Sequence, residues 1–179
     1  MDWLDEPFKH SIGTGYFSDE YFRALMRNLP PEEEYEQYND TYPNRYLWLG
    51  KGGKPADGFW KGVWDRFTRE FGPKTVVQLV RDYPGYSLGP HTDKPTKLAT
   101  YLFYLTDAEV DGAGTTIFVP SKAVGGTGWT HHGFDGFDAV KTAPYVPNGY
   151  FAFERSDNSY HGVFPATIVR NLLQVSVYR

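Results

Sequence analysis

The chain has 179 residues, with 22 acidic and 18 basic side chains, a net charge of −4 and no cysteine. That length suits one domain, 1–179, around a single core, and the mild acidity offers no electrostatic footprint for nucleic acid or an anionic membrane. Disulfides, thiolate metal sites and a cysteine nucleophile are excluded, so a metal must be held by Asp, Glu or one of the five histidines.

The opening "MDWLDEPFKH" lacks the basic start and apolar core of a secretory signal. No stretch approaches the ~20 apolar residues of a membrane span. With no cysteine present, both points are compatible with a reducing, cytoplasmic setting. His10 lies in an N-terminal strand candidate and receives no role. Residues 18–29, "SDEYFRALMRNL", read as a helix. Ser18 is its cap, Asp19 and Glu20 suit its first turn, and Phe22, Leu25, Met26 and Leu29 share one face. Pro30 and Pro31 end it. "NRYLWLG" at 44–50 is a candidate strand. Residues 58–71 repeat the helical pattern with Trp60, Val63, Trp64 and Phe67, Asp57 as a candidate cap and Gly72-Pro73 as the stop.

From residue 74 the texture becomes β-rich, with Gly and Pro as punctuation. Strands are expected near 75–83, 98–106, 115–120, 150–154 and 168–178. The fold class is therefore α+β, mainly β: a helical N-terminal part, about 1–73, packs on one sheet of a sandwich or barrel core, about 74–179. Segment 121–147, rich in Gly and aromatics, reads as one long loop, and loops of that length in a compact domain are usually functional or mobile.

The chemistry concentrates in "GYSLGPHTDKPTK", residues 85–97. His91 and Asp93 stand two apart, which is the strand repeat, so their side chains share a face. Such a pair is either a buried hydrogen-bonded couple or two-thirds of a metal site. His161 precedes the last strand and supplies a third donor. Two imidazoles and one carboxylate on one face of an octahedron form the triad of non-haem Fe(II) oxygenases, which leaves positions open for a chelating cosubstrate and O2.

His91-x-Asp93 followed by His161, with Arg170 nine residues further on, resembles the 2-oxoglutarate/Fe(II)-dependent dioxygenases, in particular their prolyl 4-hydroxylase-like branch. "YPGY" at 83–86, "YLFYL" at 101–105 and "GAGTTIF" at 112–118 complete an ordered set from about Val76 to the C-terminus. The resemblance implies a double-stranded β-helix, or jelly roll, with His91, Asp93 and His161 as iron ligands. It implies Arg170 on the distal carboxylate of 2-oxoglutarate, joined by the Tyr104 hydroxyl, and Tyr83 near cosubstrate or metal. It implies hydroxylation of an unactivated C–H, with succinate and CO2 as coproducts. Related halogenases have a small residue where Asp93 stands, so its carboxylate argues for hydroxylation.

Residue chemistry runs alongside. Arg170 in "TIVRNLLQV" needs an anion if buried, and otherwise sits on an edge strand or pairs with an acidic side chain. Tyr104 shares a face with Leu102 and Thr100, and it and Tyr83 also fit as core aromatics with a hydroxyl partner. His131 and His132 are adjacent, point apart, and read as surface or substrate-contacting residues. Asp135 and Asp138 read as solvated. Lys94 and Lys97 read as exposed lysines unless they touch an anionic substrate. Arg81 shares the face of Tyr83, Leu79 and Val77 and would meet an anionic substrate or a buried carboxylate. Trp48, Trp129 and Phe134 are candidates for a substrate wall. The expected substrate is a small molecule, with a prolyl or other side chain of a peptide or protein as the alternative. A non-catalytic cupin-like binding protein is the reading from another class, separated by metal content.

Overall fold

The computed structural model describes residues 1–37, 41–50, 58–124 and 130–179. In chain order its elements are β1 (His10–Thr14), α1 (Asp19–Arg27), a 3₁₀ turn (Glu32–Glu34), β2 (Glu36–Gln37), β3 (Asn44–Leu49), α2 (Gly58–Phe71), β4 (Thr75–Asp82), β5 (Leu88–His91) and β6 (Lys97–Tyr104). These are followed by β7 (Thr116–Pro120), β8 (Phe137–Thr142), β9 (Gly149–Glu154), β10 (His161–Val163) and β11 (Arg170–Tyr178). Two antiparallel sheets result. The large one runs β1-β9-β6-β11-β4-β3-β2, and the small one runs β5-β10-β7-β8. This is a jelly-roll-like, mainly β architecture with two helices.

Both helices form where the apolar spacing places them. Ser18 Oγ accepts from the Tyr21 N–H at 3.3 Å and caps α1, which ends at Asn28 ahead of the two prolines. Asp57, the candidate cap of α2, lies outside the described residues. Leu25 of α1 and Trp60, Val63 and Phe67 of α2 pack on Val77, Leu79, Phe103, Leu173 and Val175, the outer face of the large sheet. The inner face meets the small sheet through Val80, Tyr104, Ile117, Phe151, Phe153 and Leu172. Central strands are therefore buried on both sides, and alternation along them separates a helix-covered face from a cavity-facing one. No helix among the described residues is long and apolar enough to cross a membrane.

The N-terminal part carries both helices and also the two strand candidates: β1 begins at His10 and pairs with β9, β3 spans 44–49 and pairs with β4, and the two-residue β2 joins β3. One expectation needs correction. Segment 121–147 is not one loop. It contains β8, an edge strand whose residues are almost all exposed, paired with β7.

Candidate active site

His91 and His161 are direct partners across the β5–β10 ladder, which sets both rings on one face. Their ring centroids are 4.4 Å apart. Asp93 follows two residues after His91, and the ligating atoms of His91, Asp93 and His161 all lie within 4.8 Å of one another, buried. Each imidazole is oriented by a carbonyl oxygen. Nδ1 of His91 lies 3.0 Å from Gly89 O, and Nδ1 of His161 lies 2.9 Å from Ser159 O. With the proton on Nδ1, Nε2 keeps its lone pair for a metal. Burial, reinforced by His161, drives the His91 pKa down to about 3, and burial lowers that of His161. Both rings are thus neutral at pH 7, the form that ligates. Burial pushes the Asp93 carboxyl upward, but Lys97, His161, His91 and the Thr100 hydrogen bond together hold it well below the usual carboxylate range. Two neutral nitrogens and one anionic oxygen, buried and converging, fit a divalent transition metal.

The carboxylate is braced on one side. Asp93 Oδ2 accepts from Thr100 Oγ1 at 2.7 Å and from Lys97 Nζ at 3.1 Å. Its backbone carbonyl accepts from Arg155 Nε at 3.1 Å. Lys97, read from sequence as an exposed lysine, is in fact buried and lines the cavity.

That cavity has a volume of about 500 Å³ and is lined by all three candidate ligands, Lys97 and Thr100, with Arg170 also on its wall. Arg170 is 1% exposed and donates from Nη1 to Asp82 Oδ2 at 2.9 Å. The expectation that a buried Arg170 needs an anion is met in part by this acidic side chain. Its Nε and Nη2 are buried and have no hydrogen-bond partner among the described residues. Two unpaired guanidinium donors in a buried wall are costly unless a ligand takes them.

Tyr104 points to the inner face, as its alternation with Leu102 and Thr100 requires. It is fully buried behind the lining, and its hydroxyl accepts from the Thr115 N–H at 3.0 Å. Tyr83 is not among the lining residues, and its ring lies under the Arg45 guanidinium at 5.8 Å. Tyr86, three residues on, lines the cavity instead. Among the described residues, Arg81 meets neither the cavity nor a carboxylate. It donates to Asn171 Oδ1 at 2.9 Å and stacks on Tyr35. The cavity-facing residues of β4 are Gln78, Val80 and Asp82, which alternate with Val77, Leu79 and Arg81.

His131 lines the cavity and stacks on His91, with centroids 4.8 Å apart, while His132 packs on Phe137 and Tyr160. The adjacent rings do point apart. Phe134 stacks on Phe164, Trp48 stacks on Tyr46, and Trp129 lies outside the described residues. Sequence reasoning missed Asp82, Tyr86, Asn44, Gln78 and Gln174, all of which line the cavity. The available signal for Gln78 and Asp82 was a pair of polar residues at alternate positions of an otherwise apolar strand.

Fold and cluster together define a two-sheet β protein that carries a two-histidine, one-carboxylate centre beside a buried arginine. No family model and no curated protein matches the sequence. Solved structures do match. A prolyl-4-hydroxylase from Pseudomonas putida superposes with a TM-score of 0.66 at 16% identity, covering 95% of this chain and 92% of that one. A prolyl hydroxylase from Trichoplax adhaerens, in complex with a hypoxia inducible factor oxygen degradation domain peptide fragment, gives 0.64 at 12%, covering 94% and 83%. A viral collagen prolyl hydroxylase from Paramecium Bursaria Chlorella virus-1, in a 2-oxoglutarate complex, gives 0.52 at 15%, covering 95% and 96%. The chain has the fold of these hydroxylases along nearly its whole length.

Proposed function

We propose that residues 1–179 form one double-stranded β-helix domain, an Fe(II)- and 2-oxoglutarate-dependent dioxygenase that hydroxylates an unactivated C–H bond. One observation carries the reading. A buried His91–Asp93–His161 cluster and a buried Arg170 line a single cavity, and two of the arginine's donors have no partner among the described residues. Iron with bound 2-oxo acid and O2 would supply the oxidising power, and 2-oxoglutarate would leave as succinate and CO2.

The protein's part is to bind and orient. His91, Asp93 and His161 are the metal ligands, with Nδ1 hydrogen bonds fixing both imidazoles. Lys97 and Thr100 occupy Asp93 Oδ2 and leave Oδ1 for the metal. Arg170 receives the distal carboxylate of the cosubstrate on Nε and Nη2. Tyr104 already accepts from Thr115, so its own proton is available to that carboxylate. Leu102, Val80 and Leu172 add apolar surface to the same lining, which lowers the local dielectric around these ion contacts.

The cavity suits a compact small molecule or one inserted side chain. The Trichoplax adhaerens neighbour holds a peptide, which favours a prolyl or other side chain at least as well as a free metabolite.

The test is anaerobic titration of the apo-protein with Fe(II) and then 2-oxoglutarate, following the visible charge-transfer band of the chelate. A band is expected in the native protein. It is lost in His161→Ala, and Arg170→Ala needs on the order of a hundredfold more cosubstrate, the loss expected for a buried bidentate ion pair. A protein that binds no metal and gives no band would instead be a non-catalytic cupin-like binding module.

A further inference from the structure

Arg170 has an internal partner with which a free carboxylate must share it. Asp82 and Arg170 lie directly opposite on β4 and β11. Their side chains are 4% and 1% exposed. Asp82 Oδ2 accepts from Nη1, while Oδ1 has no hydrogen-bond partner among the described residues. Nε and Nη2 form the edge of a guanidinium that offers two parallel N–H groups to one carboxylate. Asp82 sits off that edge, so it braces the arginine without filling its receiving side.

We infer that Asp82 is a positioning residue for the cosubstrate: it fixes Arg170 through Nη1 so that Nε and Nη2 receive a dicarboxylate's distal end, and it takes up a proton when that end arrives. The inference rests on the proposed function.

The proton follows from electrostatics. Among the described residues, the other titratable side chains around Asp82 are phenols, Tyr46 from β3, Tyr42 before it, Tyr86 from the turn after β4 and Tyr145 ahead of β9; Asn44 adds a neutral hydrogen bond. Arg170 is the one cation among these groups. Burial already raises the Asp82 pKa to about 6, against the pull of Arg170 and Asn44. A second carboxylate on the same guanidinium raises it further, because two like charges sharing one cation disfavour joint ionisation. At about 5 Å and an effective dielectric of about 20, that repulsion has an upper limit on the order of a hundredfold in affinity. The folded protein without cosubstrate loses the Asp82 proton through about pH 6, and the complex holds it to higher pH. Affinity for the dicarboxylate is therefore greatest below pH 6 and falls as pH rises above it, by at most tenfold per unit.

Fe(II)-loaded protein is titrated anaerobically with 2-oxoglutarate and with pyruvate at pH 6, 7 and 8, in native, Asp82→Asn and Asp82→Ala forms. Pyruvate keeps the 2-oxo acid chelate and lacks the distal carboxylate, so it reports everything except the Arg170 end. In the native protein, affinity for 2-oxoglutarate relative to pyruvate drops at least fivefold from pH 6 to 8. Asp82→Asn keeps an acceptor for Nη1 without the charge, binds 2-oxoglutarate at least tenfold tighter than native at pH 8, and shows a flat profile. Asp82→Ala loses the brace and binds more weakly than Asp82→Asn. A flat native ratio, or Asp82→Asn no tighter than native at pH 8, overturns the inference while leaving the oxygenase reading intact. If the variants do not fold, the native pH profile decides alone. A native protein that forms no chelate with either acid loses the oxygenase reading, and this inference with it.

Discussion

Replacing Lys97 with methionine keeps the stem and removes the charge from Asp93. The two side chains are 11% and 9% exposed, and their ion pair spans 3.1 Å. At an effective dielectric of about 20, the Coulomb attraction at that distance is about 5 kcal/mol. Removing one partner of a buried pair costs ~3–5 kcal/mol, because the remaining charge stays buried. Thr100 still donates to Oδ2, so the lower end applies, about 3 kcal/mol, or roughly 10 °C in the apo-protein Tm. A divalent metal changes the outcome. Bound at Asp93 it supplies the missing positive charge, and it no longer faces an ammonium close by. The loss should therefore shrink in the metal-loaded protein and reappear as roughly a hundredfold tighter metal binding. Urea denaturation of native and Lys97→Met protein, with chelator and with saturating Co(II), measures both corners of the cycle. Equal destabilisation with and without metal would refute the reasoning and reduce Lys97 to packing. So would an apo-variant as stable as the native protein.

Gly89→Ala tests how the segment after residue 129 is seated. A Cβ at Gly89 would strike the carbonyl oxygen of His132, whose N–H donates to Pro90 O at 3.0 Å. Because Gly89 O also holds the His91 ring, we expect about 2 kcal/mol lost in denaturation and at least tenfold weaker Co(II) binding; a neutral variant would mean that the contact does not orient the ligand. Tyr83→Phe and Tyr86→Phe separate two neighbouring phenols. The first should leave the 2-oxoglutarate titration within twofold, and the second should shift it several-fold, since only Tyr86 lines the cavity beside Asp82 and Arg170. The reverse ranking would restore Tyr83 as the cosubstrate contact.

The legible part of the fold was whatever repeats with a strong period. α1 and α2 each bury one apolar stripe, and β4, β6 and β11 each run eight or nine residues. Short strands with apolar runs, β3, β7 and β9, were legible too, but the shortest and the most exposed were not. β10 spans three residues, and β8 is an edge strand with almost no buried side, so neither carries an alternation to read. Of the candidate triad, His91 and Asp93 were legible from a two-residue spacing that does not depend on burial, and His161 from the family resemblance. Lys97 was not, since a lone lysine is exposed by default and its partnership depends on the turn that brings residue 97 back over Asp93, where Lys97 N donates to Lys94 O. Arg81 and Tyr83 were correctly placed with Val77 and Leu79. That face lies away from the cavity, because both sides of the strand are buried and apolarity alone does not say which one faces the small sheet.

The cosubstrate reading requires two groups on different sheets to hold one separation. The histidines belong to β5 and β10 of the small sheet, while Arg170 begins β11 in the middle of the large one. Short strands alone are a weak mount, and β10 pairs through only a few residues. The link is Thr100. It lies on β6, opposite Ser176 of the strand that Arg170 begins, and its hydroxyl donates to Asp93. Asp93 is thus tied to the large sheet by Thr100 and Lys97, both from β6, as well as to the metal cluster. Lys97 and Thr100 fix the metal end, Asp82 fixes the arginine end, and β6 and β11 carry the distance between them. If the cosubstrate reading holds, a cavity mounted this way would select by length as well as charge, because a shorter or longer dicarboxylate could not reach both ends without bending these paired strands.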